Sequence, residues 1–69
     1  MATVKQAIRE NDVVELLYPA GNWPAGTSGT VVSERGEHRL IEISDDQGQM
    51  LDLVSQTEPQ LKLIAKYHE

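Results

Sequence analysis

The sequence predicts a small all-β domain of five short strands, and three observations carry that prediction. Val, Ile, Leu and Tyr gather in short runs, several of which alternate apolar with polar residues. Segments rich in Gly, Pro, Asp and Asn separate those runs at close intervals. No stretch sustains a helical period long enough to give a stable helix its buried face.

Residues 1–11 are read as a leader. Within Thr3–Glu10, Val4, Ala7 and Ile8 stand at helical spacing, which allows a short helical turn or an extended segment at a sheet edge. The domain proper is placed at 12–67. Its first strand, Asp12–Tyr18, is dense in strand formers and stops at Pro19. The segment Pro19–Gly29 holds three Gly and two Pro, so it is a long first loop. Thr30–Ser33 is the second strand, and Glu34–Glu37 a turn in which Gly36 supplies the permissive backbone. Arg39–Ser44 is the third strand, with Ile41 and Ile43 on one face. Asp45-Asp46-Gln47-Gly48 reads as a turn in which an Asp side chain bonds the backbone and Gly takes positive φ.

The fourth strand, Gln49–Val54, is expected to turn Leu51 and Leu53 inward, against Met50 and Asp52. Thr57–Gln60, interrupted by Pro59, gives one tight turn. In the last strand, Leu61–Lys66, the expected inward residues are Leu61, Leu63 and Ala65, with Lys62 and Lys66 outside. Five closely linked strands bury their edges best by curling into a barrel. Strand, long loop, three strands joined by tight turns, a helical turn and a last strand is the SH3-like order. The expected core is Val14, Leu16, Val31, Ile41, Ile43, Leu51, Leu53, Leu61 and Leu63.

With 69 residues, no Cys and two distant His, the chain has no disulfide or thiolate metal site to reinforce a thin core. No metal and no cofactor is expected. Eleven acidic against six basic residues give a net charge of −5, the wrong sign for phosphate binding, so nucleic acid is disfavoured as a partner. No apolar run reaches the ~20 residues of a membrane span, and the N-terminus lacks the apolar stretch of a secretory signal. These features are read as cytoplasmic.

Asp12-Val13-Val14-Glu15-Leu16-Leu17, the Pro- and Gly-containing loop, Gly29-Thr30-Val31-Val32, Ile41-Glu42-Ile43, Asp46, Gly48, Leu51 and Gln60-Leu61 resemble domain-of-unknown-function family 4926. The resemblance runs from Asp12 to Leu63 and implies a small stand-alone bacterial protein with an SH3-like barrel; it implies no activity. A looser likeness, through Val13-Val14-Glu15-Leu16, the Trp of the first loop and Gly29-Thr30-Val31, is to the small peripheral SH3-like subunit of photosystem I. That subunit assists the docking of electron-transfer partners and is richer in basic residues. Polyproline-binding SH3 domains carry an aromatic groove, for which Tyr18, Trp23 and Tyr67 are too few.

No catalytic constellation emerges, and the chain is read as a non-enzyme. The loop Gly21–Thr27 lacks the Lys and following helix of a phosphate loop. Gly26-Thr27-Ser28-Gly29-Thr30 has Thr where a nucleophile elbow needs Gly. Asp45, Asp46 and Asp52 do not have the ligand spacing of a calcium loop. His38 and His68 are read as surface residues. Trp23 is either a lid on the barrel or a contact anchor, with Tyr18 and Tyr67 flanking it if the first and last strands pair. The expected partner-binding set is Trp23, Tyr18, Asn22, Tyr67 and Glu15. The function expected is that of an acidic protein-interaction module binding a basic protein surface through the first loop, as an antitoxin or immunity-type inhibitor does. Homo-oligomerisation is compatible with it. The alternatives are a nucleic-acid-binding SH3-like barrel and an accessory subunit of a larger complex.

Overall fold

A computed structural model describes residues 7–67. Val4, the first residue of the leader's expected helical spacing, therefore lies outside the described residues, as does His68. Five strands follow one another: β1 (Val13–Leu16), β2 (Ser28–Arg35), β3 (His38–Ser44), β4 (Met50–Thr57) and β5 (Leu61–Ala65). A single 3₁₀ turn, Glu58–Gln60, precedes β5. All pairings are antiparallel, and the order across the sheet is β4-β3-β2-β1-β5. This is the small, barrel-like all-β architecture that the pattern predicted.

The connections follow from their residues. Gly36 takes φ 59° in the tight turn between β2 and β3, where Arg35 faces His38. In the next turn, Asp45 Oδ1 accepts from the N–H groups of Gln47 and Gln49, both at 2.9 Å, and Gly48 sits at φ 81°. Before β5, Gln60 Oε1 accepts from both the N–H and the hydroxyl of Thr57 at 3.0 Å, which closes the 3₁₀ turn around Pro59.

Val14, Leu16, Val31, Ile41, Ile43 and Leu61 are buried as expected, with Leu63 and Trp23 packed against them. Ile8, Ala20 and Val54 complete the core. Leu51 and Leu53 do not belong to it: they are 53% and 43% exposed. Strand β4 has the opposite facing to the one expected, because Asp52 sits on the core-facing side together with Val54. Val54 lies opposite the buried Ile41, and Asp52 opposite the buried Ile43. An irregularity between Ile43 and Ser44 sets Ser44 opposite Met50, so Leu51 has no partner of its own across the pair. In β5, Ala65 is exposed, and Lys66 is not a solvated end but an ion-pair partner of Asp12.

The first strand, Val13–Leu16, is shorter than expected, although Asp12 and Leu17 at its ends still bond the flanks of β2 and β5. Asp12 O accepts from Val31 N–H, while Leu17 N–H donates to Gln60 O at 3.0 Å. The described part of the leader, Ala7–Asn11, is not helical. It lies along the barrel with Ile8 only 1% exposed and ends in a turn at Asn11, φ 74°.

Candidate functional site

The first loop is held at several points along its length. Leu16 N–H donates to Thr27 O, and Gly26 N–H to Leu16 O, which closes its base. Ala20 and Trp23 exchange both backbone hydrogen bonds at 2.9 Å, making a compact turn with Gly21 at φ 57°. Ala20 is buried in the core. The Trp23 indole packs against the core, and its N–H donates to Asp52 Oδ2 at 2.8 Å.

Asp52 explains its own inward position. Its Oδ1 accepts from the N–H of Leu53 at 2.8 Å while Oδ2 takes the indole. Because β4 is an outer strand of the sheet, this carboxylate links the loop to the strand edge and occupies an edge N–H. Trp23 is thus a lid, anchoring the loop from beneath. What the loop presents outward is Leu17, 43% exposed, and Tyr18, 58% exposed, followed by Pro19 and the exposed Asn22.

The five residues singled out in the sequence are not one cluster. Trp23, Tyr18 and Asn22 share the first loop. Tyr67 lies at the opposite end of β1, where its N–H donates to Asp12 Oδ1 at 2.9 Å. Glu15 is half-buried in the middle of β1, between Ser28 of β2 and Lys62 of β5.

Two polar centres escaped the sequence reading. Asp12 has a side chain only 2% exposed, and it accepts from Lys66 Nζ at 2.6 Å, Arg9 N–H at 2.8 Å and Tyr67 N–H at 2.9 Å. Burial pushes this carboxyl upward. The hydrogen bond from Lys66, the backbone N–H groups of Tyr67 and Arg9, and the Lys66 charge outweigh burial and hold it below its ordinary value.

Arg39 is the second centre. Its Nε donates to Ile8 O at 2.7 Å, Nη1 to Gly36 O and His38 O, and Nη2 to Glu58 Oε1 at 2.6 Å. Glu58 Oε2 in turn accepts from Ile8 N–H, so both backbone groups of Ile8 are bonded by this ion pair. An open cavity of about 380 Å³ lies beside it, lined by Gly36, Glu37, Arg39, Thr57, Glu58 and Pro59. The charged partners Lys66 and Glu58 and the backbone of Tyr67 and Ile8 reach these centres only through the fold, so neither centre has a signature in the sequence.

Among the described residues, no group of three or more His, Cys, Asp and Glu side chains is placed to hold a metal ion, and no helix is long and apolar enough to cross a membrane. No family model matches the chain, and searches of curated proteins and of solved structures give no match either.

Proposed function

We propose that this protein is a small acidic protein-interaction module that binds a basic protein surface through the rim of its first loop. The observation that carries the reading is a loop fixed from below by Ala20 and the Trp23–Asp52 bond, with Leu17 and Tyr18 standing exposed on its outer side. A pre-ordered loop loses little conformational entropy on binding, and an exposed Tyr offers large contact area with few rotors. The net charge of −5 favours a basic partner by long-range attraction. Masking of a basic active site, in the manner of an antitoxin or immunity protein, is the specific form of this reading, with the cytoplasm as its setting.

The same structure gives less support to nucleic-acid binding. Of the five basic side chains among the described residues, three are engaged by carboxylates: Arg9 with Glu34, Arg39 with Glu58, and Lys66 with Asp12. Cations already neutralised in the fold release few counterions from phosphates.

The test uses the tagged chain to isolate a partner from its native host, followed by calorimetric titration of the purified pair. Tyr18→Ala is expected to weaken binding at least tenfold, the loss of about 1.4 kcal/mol or more typical of an aromatic contact. Tyr18→Ala binding as tightly as the parent would overturn the loop-rim reading.

A further inference from the structure

We infer that the part of the barrel under the leader is a peptide-binding site, filled by residues 7–11 of the chain itself. In their place it accepts an extended segment of another protein that carries one large aliphatic residue. This site is separate from the rim of the first loop.

Charged side chains hold the leader by its main chain. Glu58 Oε2 accepts from the N–H of Ile8 at 3.3 Å, and Arg39 Nε donates to the Ile8 carbonyl oxygen at 2.7 Å. Lys66 Nζ donates to the carbonyl oxygen of Ala7, and Asp12 Oδ2 accepts from the N–H of Arg9 at 2.8 Å. Ala7–Arg9 belong to no strand. Two donor–acceptor pairs of side chains thus do what the carbonyl and N–H groups of a neighbouring strand do in a sheet.

Recognition through the main chain leaves sequence to matter at one position. Ile8 is buried in the core, whereas Ala7, Arg9, Glu10 and Asn11 are exposed. Arg9 meets Glu34 at 3.7 Å, an exposed pair that contributes little. The ligand class is therefore an extended segment with an aliphatic side chain at its centre and small or polar neighbours.

The receptor stays partnered when its occupant leaves. Arg39 Nη2 and Glu58 Oε1 are 2.6 Å apart, as are Lys66 Nζ and Asp12 Oδ2. Departure of the leader strands no buried charge, and the four side chains keep their places for the next segment. The moving part ends at Asn11, whose φ of 74° turns the chain towards β1 and whose N–H donates to Val31 O. The cavity of about 380 Å³ beside Arg39 and Glu58, lined also by Glu37, Thr57 and Pro59, gives room next to the socket for a flanking side chain. Because the leader is tethered, it meets the socket at a high effective concentration, so the parent chain blocks its own site against a free segment.

The test uses the full chain with Ile8→Asp, in which the leader vacates the socket because a lone carboxylate is not buried. The probe is a synthetic peptide of the sequence Val4–Asn11, with the same peptide carrying Ile8→Asp as control. In calorimetric titration the variant chain is expected to bind the unaltered peptide with Kd on the order of 100 μM, and the control peptide at least tenfold more weakly. The parent chain is expected to bind the unaltered peptide at least tenfold more weakly than the variant chain does. A variant chain that is folded by circular dichroism and takes up no peptide to about 2 mM overturns the inference. So does equal binding of the two peptides, or equal binding by the two chains. Amide exchange in the parent needs no substitution: the N–H groups of Ile8 and Arg9 are expected to exchange at least tenfold faster than those of β2 and β3, because the leader opens without the barrel. Equal protection, or a variant chain that is unfolded with and without peptide, makes the leader an inseparable part of the core and overturns the inference as well.

Discussion

Replacing Asp12 by Asn keeps the shape of a buried side chain and removes its charge. In the parent, the carboxylate accepts from the Lys66 ammonium at 2.6 Å and from the N–H groups of Arg9 and Tyr67 at 2.8 and 2.9 Å. Three donors converge on two oxygens. An Asn oxygen satisfies one side of this arrangement, but its amide NH₂ then confronts donors on the other. Hydrogen bonds to a charged group contribute about 1.5–3 kcal/mol, and breaking a buried pair costs about 3–5 kcal/mol. Asp12→Asn is expected to cost about 3 kcal/mol. A chain of this length has a total stability of roughly 3–10 kcal/mol, so the variant is expected to lose a large share of it and to melt roughly 15 °C lower.

The pH dependence has a definite sign. The folded carboxyl is held below its ordinary value, so between the folded and unfolded values the unfolded chain binds more protons. Its contribution is fully present above the unfolded value of about 4 and is lost as the pH falls through the lower folded value. Urea unfolding of parent and variant, followed by circular dichroism at pH 7 and again below pH 4, measures this difference. The gap is expected to be widest at pH 7 and to narrow in acid. A gap under about 0.5 kcal/mol at pH 7, or one that does not change with pH, refutes the assignment of Asp12 as a stabilising ion-pair partner.

Two other substitutions probe how the loop and the sheet are held. Trp23→Phe keeps an aromatic ring on the core but removes the donor to Asp52; it is expected to cost about 1.5 kcal/mol in urea unfolding and to speed amide exchange at Ala20 and Trp23. Gly29→Ala places a Cβ 2.5 Å from Ile41 Cγ2 and 2.7 Å from the Glu42 carbonyl oxygen, so β2 and β3 must part. An expected loss of about 3 kcal/mol contrasts with about 1 kcal/mol for Gly26→Ala, where the space is open and only the φ of 94° is unfavourable. Equal costs at the two glycines would show that β2 and β3 are not that close.

What the sequence discloses and what it conceals divide along the distance between interacting residues. The Asp45–Gly48 turn is legible because the carboxylate that bonds Gln47 and Gln49 lies within the same few residues. The same holds for Gly36 and for the Thr57–Gln60 turn. The facing of β4 is not legible in this way. Met50-Leu51-Asp52-Leu53-Val54 has apolar residues at both parities, and Asp52 is the natural one to turn outward. It turns inward because an indole donor 29 positions away meets it. Arg39 reads as an ordinary strand cation, yet its fork is filled by a leader carbonyl 31 positions away and by Glu58. From the sequence Trp23 reads as either a lid or an anchor, and only the course of β4, which brings Asp52 to its indole, places it against the core.

These distant polar contacts also account for how so short a chain holds its irregular segments. The apolar core joins the strands and takes in Ile8 of the leader and Ala20 and Trp23 of the first loop. The leader, the first loop and the segment after β5 are further secured by buried or half-buried polar side chains on or beside a strand. Asp12 joins Arg9 to Lys66 and Tyr67; Arg39 joins Ile8 to Glu58; Asp52 joins the first loop to β4. Bonds of this kind stabilise little when complete and cost much when broken, so their chief effect is to exclude other placements of the same segments. Without disulfides, such contacts fix where each loop goes. The buried polar side chains among the described residues are thus all occupied within the fold, while Tyr18 on the loop rim and Leu51 and Leu53 of β4 are exposed.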